Sequence, residues 1–241
     1  MESNSFRVQA HNTAAESENK IHDDRVAAAY GFRGGLVPGV IVYGYMIPPV
    51  LERWGQAWLE QGCVSVRFHA PFYEGEWVVA RCDGAEVRAE QEDGTLCASG
   101  SVSLGASAPA DFPLHPLPDM DHRLPVSTIR AGVPLGCIVQ PLGVDAPAAI
   151  PERLLWLANQ ILVNNFRMGP WIHVASEVQH HRLPELGEEI AVRGVIQECF
   201  ERRGRKFAVA GLAFSGTGDR PVASVRHTFI YGLEPDIMRT S

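Results

Sequence analysis

Apolar side chains recur at helical spacing after Pro151: Leu154, Leu155, Ala158, Ile161, Leu162 and Phe166 share one face, and Trp156 and Leu157 widen it almost all round. Pro151 suits a first helical turn. A helix this apolar has to be wrapped by protein. A second apolar tract, Leu36 to Leu51, predicts another buried helix from about Gly39, too short to span a bilayer. Pro48 and Pro49 should kink or restart it, leaving Glu52 and Arg53 on its exposed stripe or C-terminal end. Phe6–Ala10 reads as a strand leading into a polar loop.

The pattern repeats. A shift of 112 residues lays the β-rich run Val64–Val78 over Ser176–Ile190, matching Val66 with Val178, Gly75 with Gly187 and Glu76 with Glu188, and then Arg81 with Arg193. Each copy continues as strand, turn, strand, with hairpin signals at Glu92-Asp93-Gly94 and Arg203-Gly204. Each is preceded by one of the two apolar helices. Five prolines between Gly105 and Pro125 mark an extended linker. The expected organisation is a repeat over residues 1–105, a Pro-rich linker over 106–124 and a second repeat over 125–241. The fold class is α+β: in each repeat an antiparallel sheet curls around one apolar helix, although the pattern alone admits other α+β arrangements.

Composition narrows the function. With 21 Lys+Arg against 28 Asp+Glu the chain carries a formal charge of −7, so it has no general basic surface for nucleic acid. Five scattered cysteines without metal-ligand spacing suggest a reducing compartment, and the polar, acidic N-terminus lacks the basic start and apolar run of a signal peptide. The expectation is a cytoplasmic protein with no membrane or nucleic-acid partner, no metal and no cofactor. His180 and His181 alternate across a strand and cannot chelate one metal together.

The segment from Glu16 to Gly39 carries the candidate chemistry. Read on its own, Asn19 caps a short helix from Lys20 to Ala29, with His22, Asp23 and Asp24 in a solvated first turn. The bend Arg33-Gly-Gly-Leu-Val-Pro-Gly39 then brings backbone N–H groups to an open helix N-terminus, a place for a polarised oxygen. Asn19-Lys-Ile-His22 followed by Asp24, the run Phe32-Arg-Gly-Gly-Leu-Val-Pro-Gly39 and Ser65-Val-Arg-Phe-His-Ala-Pro-Phe-Tyr-Glu-Gly-Glu76 resemble the MaoC-like, (R)-specific enoyl-CoA hydratase family over about Glu16–Leu104. The second half resembles only that family's scaffold.

The resemblance implies a double hotdog fold with one site per chain, and hydration of a trans-2-enoyl thioester or dehydration of an (R)-3-hydroxyacyl thioester. It makes His22 the acid/base, Asn19 the residue that orients water and substrate, and Gly39 the donor of an oxyanion N–H. Tyr43 and Tyr45 are expected along an acyl tunnel. Two positions depart from the family. Ser17 stands where the family has its catalytic Asp, so it is expected to touch substrate while Glu18, or Glu16, reaches in as the carboxylate. Pro38 replaces a His before the helix. A hotdog thioesterase with Glu152 as its carboxylate and a non-catalytic acyl-thioester or hydrophobic-ligand binder are the alternatives. Arg202, Arg203, Arg205 and Lys206 form either a solvated hairpin or a contact for the phosphates of coenzyme A or of a carrier protein's pantetheine. Expected partners are therefore an acyl thioester and an acyl carrier protein, with the chain a monomer of two repeats or a homodimer of these.

Overall fold

A computed structural model describes residues 5–235; the outermost residues of the two expected repeats, 1–4 and 236–241, lie outside the described residues. The first half runs β1 (Ser5–Gln9), α1 (Asp24–Ala29), α2 (Gly39–Trp54), α3 (Gln56–Gln61), β2 (Gly62–Phe68), β3 (Trp77–Asp83), β4 (Glu86–Glu90) and β5 (Leu96–Leu104). After the linker come β6 (Leu124–Pro125), β7 (Pro134–Pro141), α4 (Ile150–Asn165), β8 (Phe166–Arg167), β9 (Ile172–His180), β10 (Glu189–Arg202), β11 (Arg205–Ser215) and β12 (Pro221–Tyr231).

The strands do not form two separate sheets, as the repeat alone suggested. Ten of them make one antiparallel sheet in the order β1-β3-β4-β5-β2-β9-β12-β11-β10-β7, while β6 and β8 form a short parallel pair. The reason is physical: β2 and β9 would each end a half-sheet with a row of unpaired N–H and C=O groups, and pairing them removes both edges. Their register realises the sequence repeat as a pseudo-two-fold axis. Cys63 faces Gln179 and Arg67 faces Ala175, and these partners are the residues 112 positions beyond Arg67 and Cys63. Ser65 faces its own counterpart, Glu177.

The matched turns also agree in detail. Gly75 and Gly187 both hold positive φ, 77° and 84°, which glycine adopts without steric cost. The Glu76 carboxylate accepts from the Tyr73 N–H at 2.9 Å, and that of Glu188 from the Glu185 N–H at 3.0 Å.

Helices α2 and α4, each of 16 residues, lie against the sheet and against one another in a core shared by both halves. Contrary to the sequence expectation, α2 runs unbroken through Pro48 and Pro49. Burial of Val42, Met46, Ile47, Pro49 and Val50 holds it helical despite the lost backbone donors, a case of tertiary packing overriding local preference. Glu52 and Arg53 are exposed near its end. The single helix expected over Lys20–Ala29 is instead a 3-10 turn, Lys20–His22, and α1, because the Asp23 carboxylate accepts from the Val26 N–H at 2.9 Å and restarts the helix there.

The linker crosses the second half of the sheet. Its Ala110 N–H donates to Ser224 Oγ at 2.8 Å, and its His115 carbonyl accepts from the Cys137 N–H at 2.8 Å. Among the described residues no helix is long and apolar enough to cross a membrane.

Candidate active site

The two halves differ most where strand gives way to central helix. In the second half residues 142–149 join β7 to α4; in the first, residues 10–38 join β1 to α2 and form a folded excursion. Ile21, Ala27 and Leu36 bury a small apolar cluster of their own, against which Tyr30, Phe32, Tyr73 and Ile172 pack. Backbone bonds close it: Leu36 N–H donates to the Ile21 carbonyl at 3.2 Å, and Gly35 N–H to Asp24 Oδ1 at 2.7 Å. Gly35 is required, because a Cβ there would overlap the His22 carbonyl.

This excursion fixes His22. Its Nδ1 lies 2.7 Å from the Leu36 carbonyl, which can only accept, so Nδ1 carries the hydrogen and Nε2 presents a lone pair. Nε2 is 3.3 Å from Asn19 Nδ2, a long contact. Burial lowers the His22 pKa below the ordinary histidine value, partly opposed by the bond to Leu36, so the ring is a neutral base near pH 7. Asn19 does not cap a helix. Its Nδ2 donates to the Trp171 carbonyl at 3.0 Å and its Oδ1 accepts from the Trp171 N–H at 3.1 Å, which ties the loop of the first half to the backbone of the second.

Asn19, His22 and Gly39 all line one cavity of about 920 Å³. Val42, Phe68, Phe72 and Trp171 give it apolar walls, and Asn159 of α4 adds a buried side-chain oxygen without a partner. Gly39 opens α2, so its N–H is among those with no intrahelical acceptor. The cavity extends along β9 to the β10–β11 hairpin, where Arg202, Arg203 and Arg205 line it together with Arg67 and Arg226. Among the described residues Glu198 is the one acid in that lining, and it pairs with Arg226 at 2.9 Å.

The remaining sequence candidates lie elsewhere. Glu18 is 60% exposed and bonds Arg123 of the linker at 2.9 Å; neither it nor Glu16 lines the cavity. Ser17 donates to the Asn19 carbonyl at 3.3 Å and is not in the lining. Tyr43 is buried in the core, its hydroxyl unpartnered and its pKa raised by burial, while the Tyr45 hydroxyl accepts from the His11 N–H at 3.0 Å. Neither tyrosine lines the cavity. Glu152 packs against Gly44 at the contact of α4 with α2, also outside the lining.

Sequence reasoning missed His173, Ser176 and His227, a buried polar cluster in the second half. Ser176 Oγ lies 2.8 Å from His173 Nε2 and 3.0 Å from His227 Nδ1, and the two rings stack at 4.1 Å. His173 lines the cavity. A signal was available: in Val222–Phe229 the apolar phase of the strand passes through Ala223, Val225, His227 and Phe229, which places a histidine among core positions.

No family model matches the chain, and no curated protein sequence matches it significantly. Solved structures do. The protein described as GphF Dehydratase 1 superposes with a TM-score of 0.61 at 12% identity, over 95% of this chain and 94% of its own. The Mycobacterium tuberculosis protein Rv0216, described as having a double hotdog fold, gives 0.59 at 13% identity over 96% of each chain. The acyl-CoA thioesterase II TesB2 from Mycobacterium marinum gives 0.57 at 15% identity, over 81% of this chain and 89% of its own. Likeness at such identity speaks to architecture alone. With one long central helix per repeat laid against a shared antiparallel sheet, the chain has the double hotdog fold.

Proposed function

We propose that the cavity at the start of α2 is the active site of a hydratase or dehydratase acting on acyl thioesters. The observation that carries this reading is that His22, whose Nε2 lone pair meets only the long contact from Asn19, and Gly39 at the start of α2 line one cavity. In the hydration direction His22 Nε2 takes a proton from water as the water oxygen bonds to C3 of the enoyl thioester. The C2=C3 electrons move toward the thioester carbonyl, whose oxygen accepts from the Gly39 N–H, and His22 returns the proton to C2. Water is thereby added with no atom left over. The 3.3 Å contact to Asn19 is weak enough for His22 to exchange that donor for water.

No carboxylate of Glu16 or Glu18 borders the cavity, so this reading gives His22 both proton transfers in place of a His–Asp pair. The apolar walls suit an acyl chain, and the arginines at the far end suit the phosphates of coenzyme A or of a carrier's pantetheine arm. The structural neighbours include thioesterases as well as a dehydratase and favour neither; what speaks for the hydratase reading is that the thioesterase's carboxylate candidate, Glu152, lies outside the cavity. Crotonyl-CoA incubated with the purified protein, followed in parallel for loss of the enoyl absorbance and for free thiol, separates the readings. Enoyl loss without thiol is the expected result. Thiol release would establish a thioesterase instead, and neither signal despite measurable binding would leave a binding protein.

A further inference from the structure

We infer that the β10–β11 hairpin is a nucleotide-recognition element, so that the cavity takes its acyl group from coenzyme A, whose adenine stacks on Phe200 and whose phosphates lie on Arg202, Arg203 and Arg205, and not from a carrier protein. The inference rests on the acyl-thioester reading and names the carrier. Along one face of the hairpin the cross-strand pairs follow in order: Arg202 with Arg205, Phe200 with Phe207, and Glu198 with Val209. All six side chains line the cavity that His22 lines.

These groups are open to a ligand. The two phenylalanine rings lie parallel, 5.0 Å apart and tilted by 5°, yet Phe200 remains 43% exposed. β7 pairs with β10 only between Glu189 and Val195, so Phe200 stands on a stretch of β10 with no described strand on its outer side. A large ring left out in this way is a platform on which a base can continue the stack. Arg226 is taken up by Glu198 at 2.9 Å and Glu177 at 3.6 Å, whereas among the described residues Arg202, Arg203 and Arg205 have no acidic partner and stay exposed. Their planar forks suit phosphate oxygens. Side chains two residues apart on a strand are about 7 Å apart, so the guanidinium row lies one step from the ring stack, as the phosphates on a ribose lie one sugar away from its base.

The fold does not itself demand this hairpin. In the first half β3 ends at Asp83 and the chain turns at Gly84 into β4. The residues 112 positions on are Val195 and Ile196, where β10 carries a bulge and continues to Arg202. The phenylalanine and arginine pairs all lie beyond the point at which the other repeat turns back. The tip is a two-residue turn with positive φ at both positions, 53° at Arg203 and 68° at Gly204. Such turns favour Asn, Asp or Gly, and an arginine in left-handed backbone is uncommon. Turn chemistry does not call for Arg203; an anion held at the tip does.

Calorimetric titration with adenosine 3′,5′-bisphosphate, which carries the base and phosphates but no thioester, reads this site without turnover. The nucleotide should bind the wild type, compete with crotonyl-CoA, and bind about tenfold more weakly to Phe200→Leu and at least about tenfold more weakly to the double variant Arg202→Ser/Arg205→Ser. Steady-state kinetics give a second readout: the wild-type KM should be at least about tenfold lower for crotonyl-CoA than for crotonyl-pantetheine, and Phe200→Leu should shrink that ratio severalfold. A nucleotide that fails to bind, or that binds Phe200→Leu as tightly as the wild type, would overturn the inference, and enoyl turnover would then leave the hydratase reading standing. Nucleotide binding that weakens in Phe200→Leu, with no enoyl turnover, would refute the hydratase reading alone. A crotonyl group hydrated on a carrier protein in preference to coenzyme A would overturn the inference in favour of a protein partner at the arginines.

Discussion

The entries to the two central helices show how one scaffold serves two ends. The residue 112 positions after Gly39 is Pro151. At α4 the short connection delivers Ile150 and Pro151 straight into the core, both buried, and a proline there has no N–H to offer. At α2 the long connection folds back over the helix start, places His22 beside it and leaves Gly39 bare toward a cavity. The second half has therefore not lost a site so much as closed its helix entry. It carries buried polar groups on the sheet instead, where Ser176 and His227 occupy the places of Val64 and Val102. One site is then built from both halves: a loop and a helix entry from the first, a wall from the second, joined by the two bonds between Asn19 and Trp171.

The comparison can be broken most directly by copying one entry into the other. Gly39→Pro gives α2 the residue of α4; proline is tolerated at a first helical position, and Pro38, with ψ of 136°, already has the extended backbone that a following proline requires. Because any Cβ at position 39 crowds His173 and Phe68, Gly39→Ala, which keeps the N–H, is the control: relative to it, kcat for enoyl hydration in Gly39→Pro should drop about 10²- to 10³-fold, the cost of one oxyanion donor. Undiminished kcat in the folded variant would remove Gly39 from the mechanism.

Much of this architecture is legible in the chain because it rests on local period. The apolar phase of 154–166, the matched Gly75/Gly187 and Glu76/Glu188 turns and the hairpins at Gly94 and Gly204 need only short stretches of sequence. What escaped depends on partners distant along the chain. Nothing near β2 announces that its free edge meets β9, so two sheets were expected where there is one. Asn19 looks like a cap until Trp171 arrives to take both ends of its amide, and Glu18 looks free until Arg123 pairs with it. His173 and Ser176 are brought to His227 by cross-strand register alone. His22 and Gly39 could be named in advance because their motif is contiguous, whereas the other wall of the cavity belongs to strands whose pairing only the fold reveals.

Cutting the tie between the halves should have an intermediate effect. Asn19→Ala removes both bonds to Trp171 and the contact to His22, and is expected to cost about 1–3 kcal/mol of stability and about tenfold in kcat/KM. Denaturant unfolding and steady-state kinetics would check it, and an unchanged midpoint would show that the two bonds do not join the halves.

Acid should expose the buried histidines. His180 is held neutral to about 4 and His227 to about 3, both by burial, so between those values and the ordinary histidine value the unfolded chain binds protons that the folded one refuses. Stability is complete above about pH 6.5 and falls as pH decreases through this window, by on the order of 3 kcal/mol from His180 alone. Urea midpoints from pH 7.5 to pH 4.5 measure it, and a flat profile would contradict the burial of these rings as neutral groups. The smallest effect is expected at Glu18: Glu18→Gln removes the exposed carboxylate of a pair whose Arg123 keeps its bond to the Val163 carbonyl, so stability should change by less than about 1 kcal/mol and kcat by less than about twofold. A large loss of kcat would return a carboxylate to the mechanism.

The central claim is that His22, as a neutral base beside the Gly39 N–H, carries the proton transfers of a hydratase. Its most direct test compares wild type with His22→Ala on a trans-2-enoyl-CoA, reading both the rate and the configuration of the product. The account predicts an (R)-3-hydroxyacyl thioester from the wild type and a rate at least about 10³-fold lower in the folded variant. A folded His22→Ala protein that hydrates the substrate at the wild-type rate would contradict it.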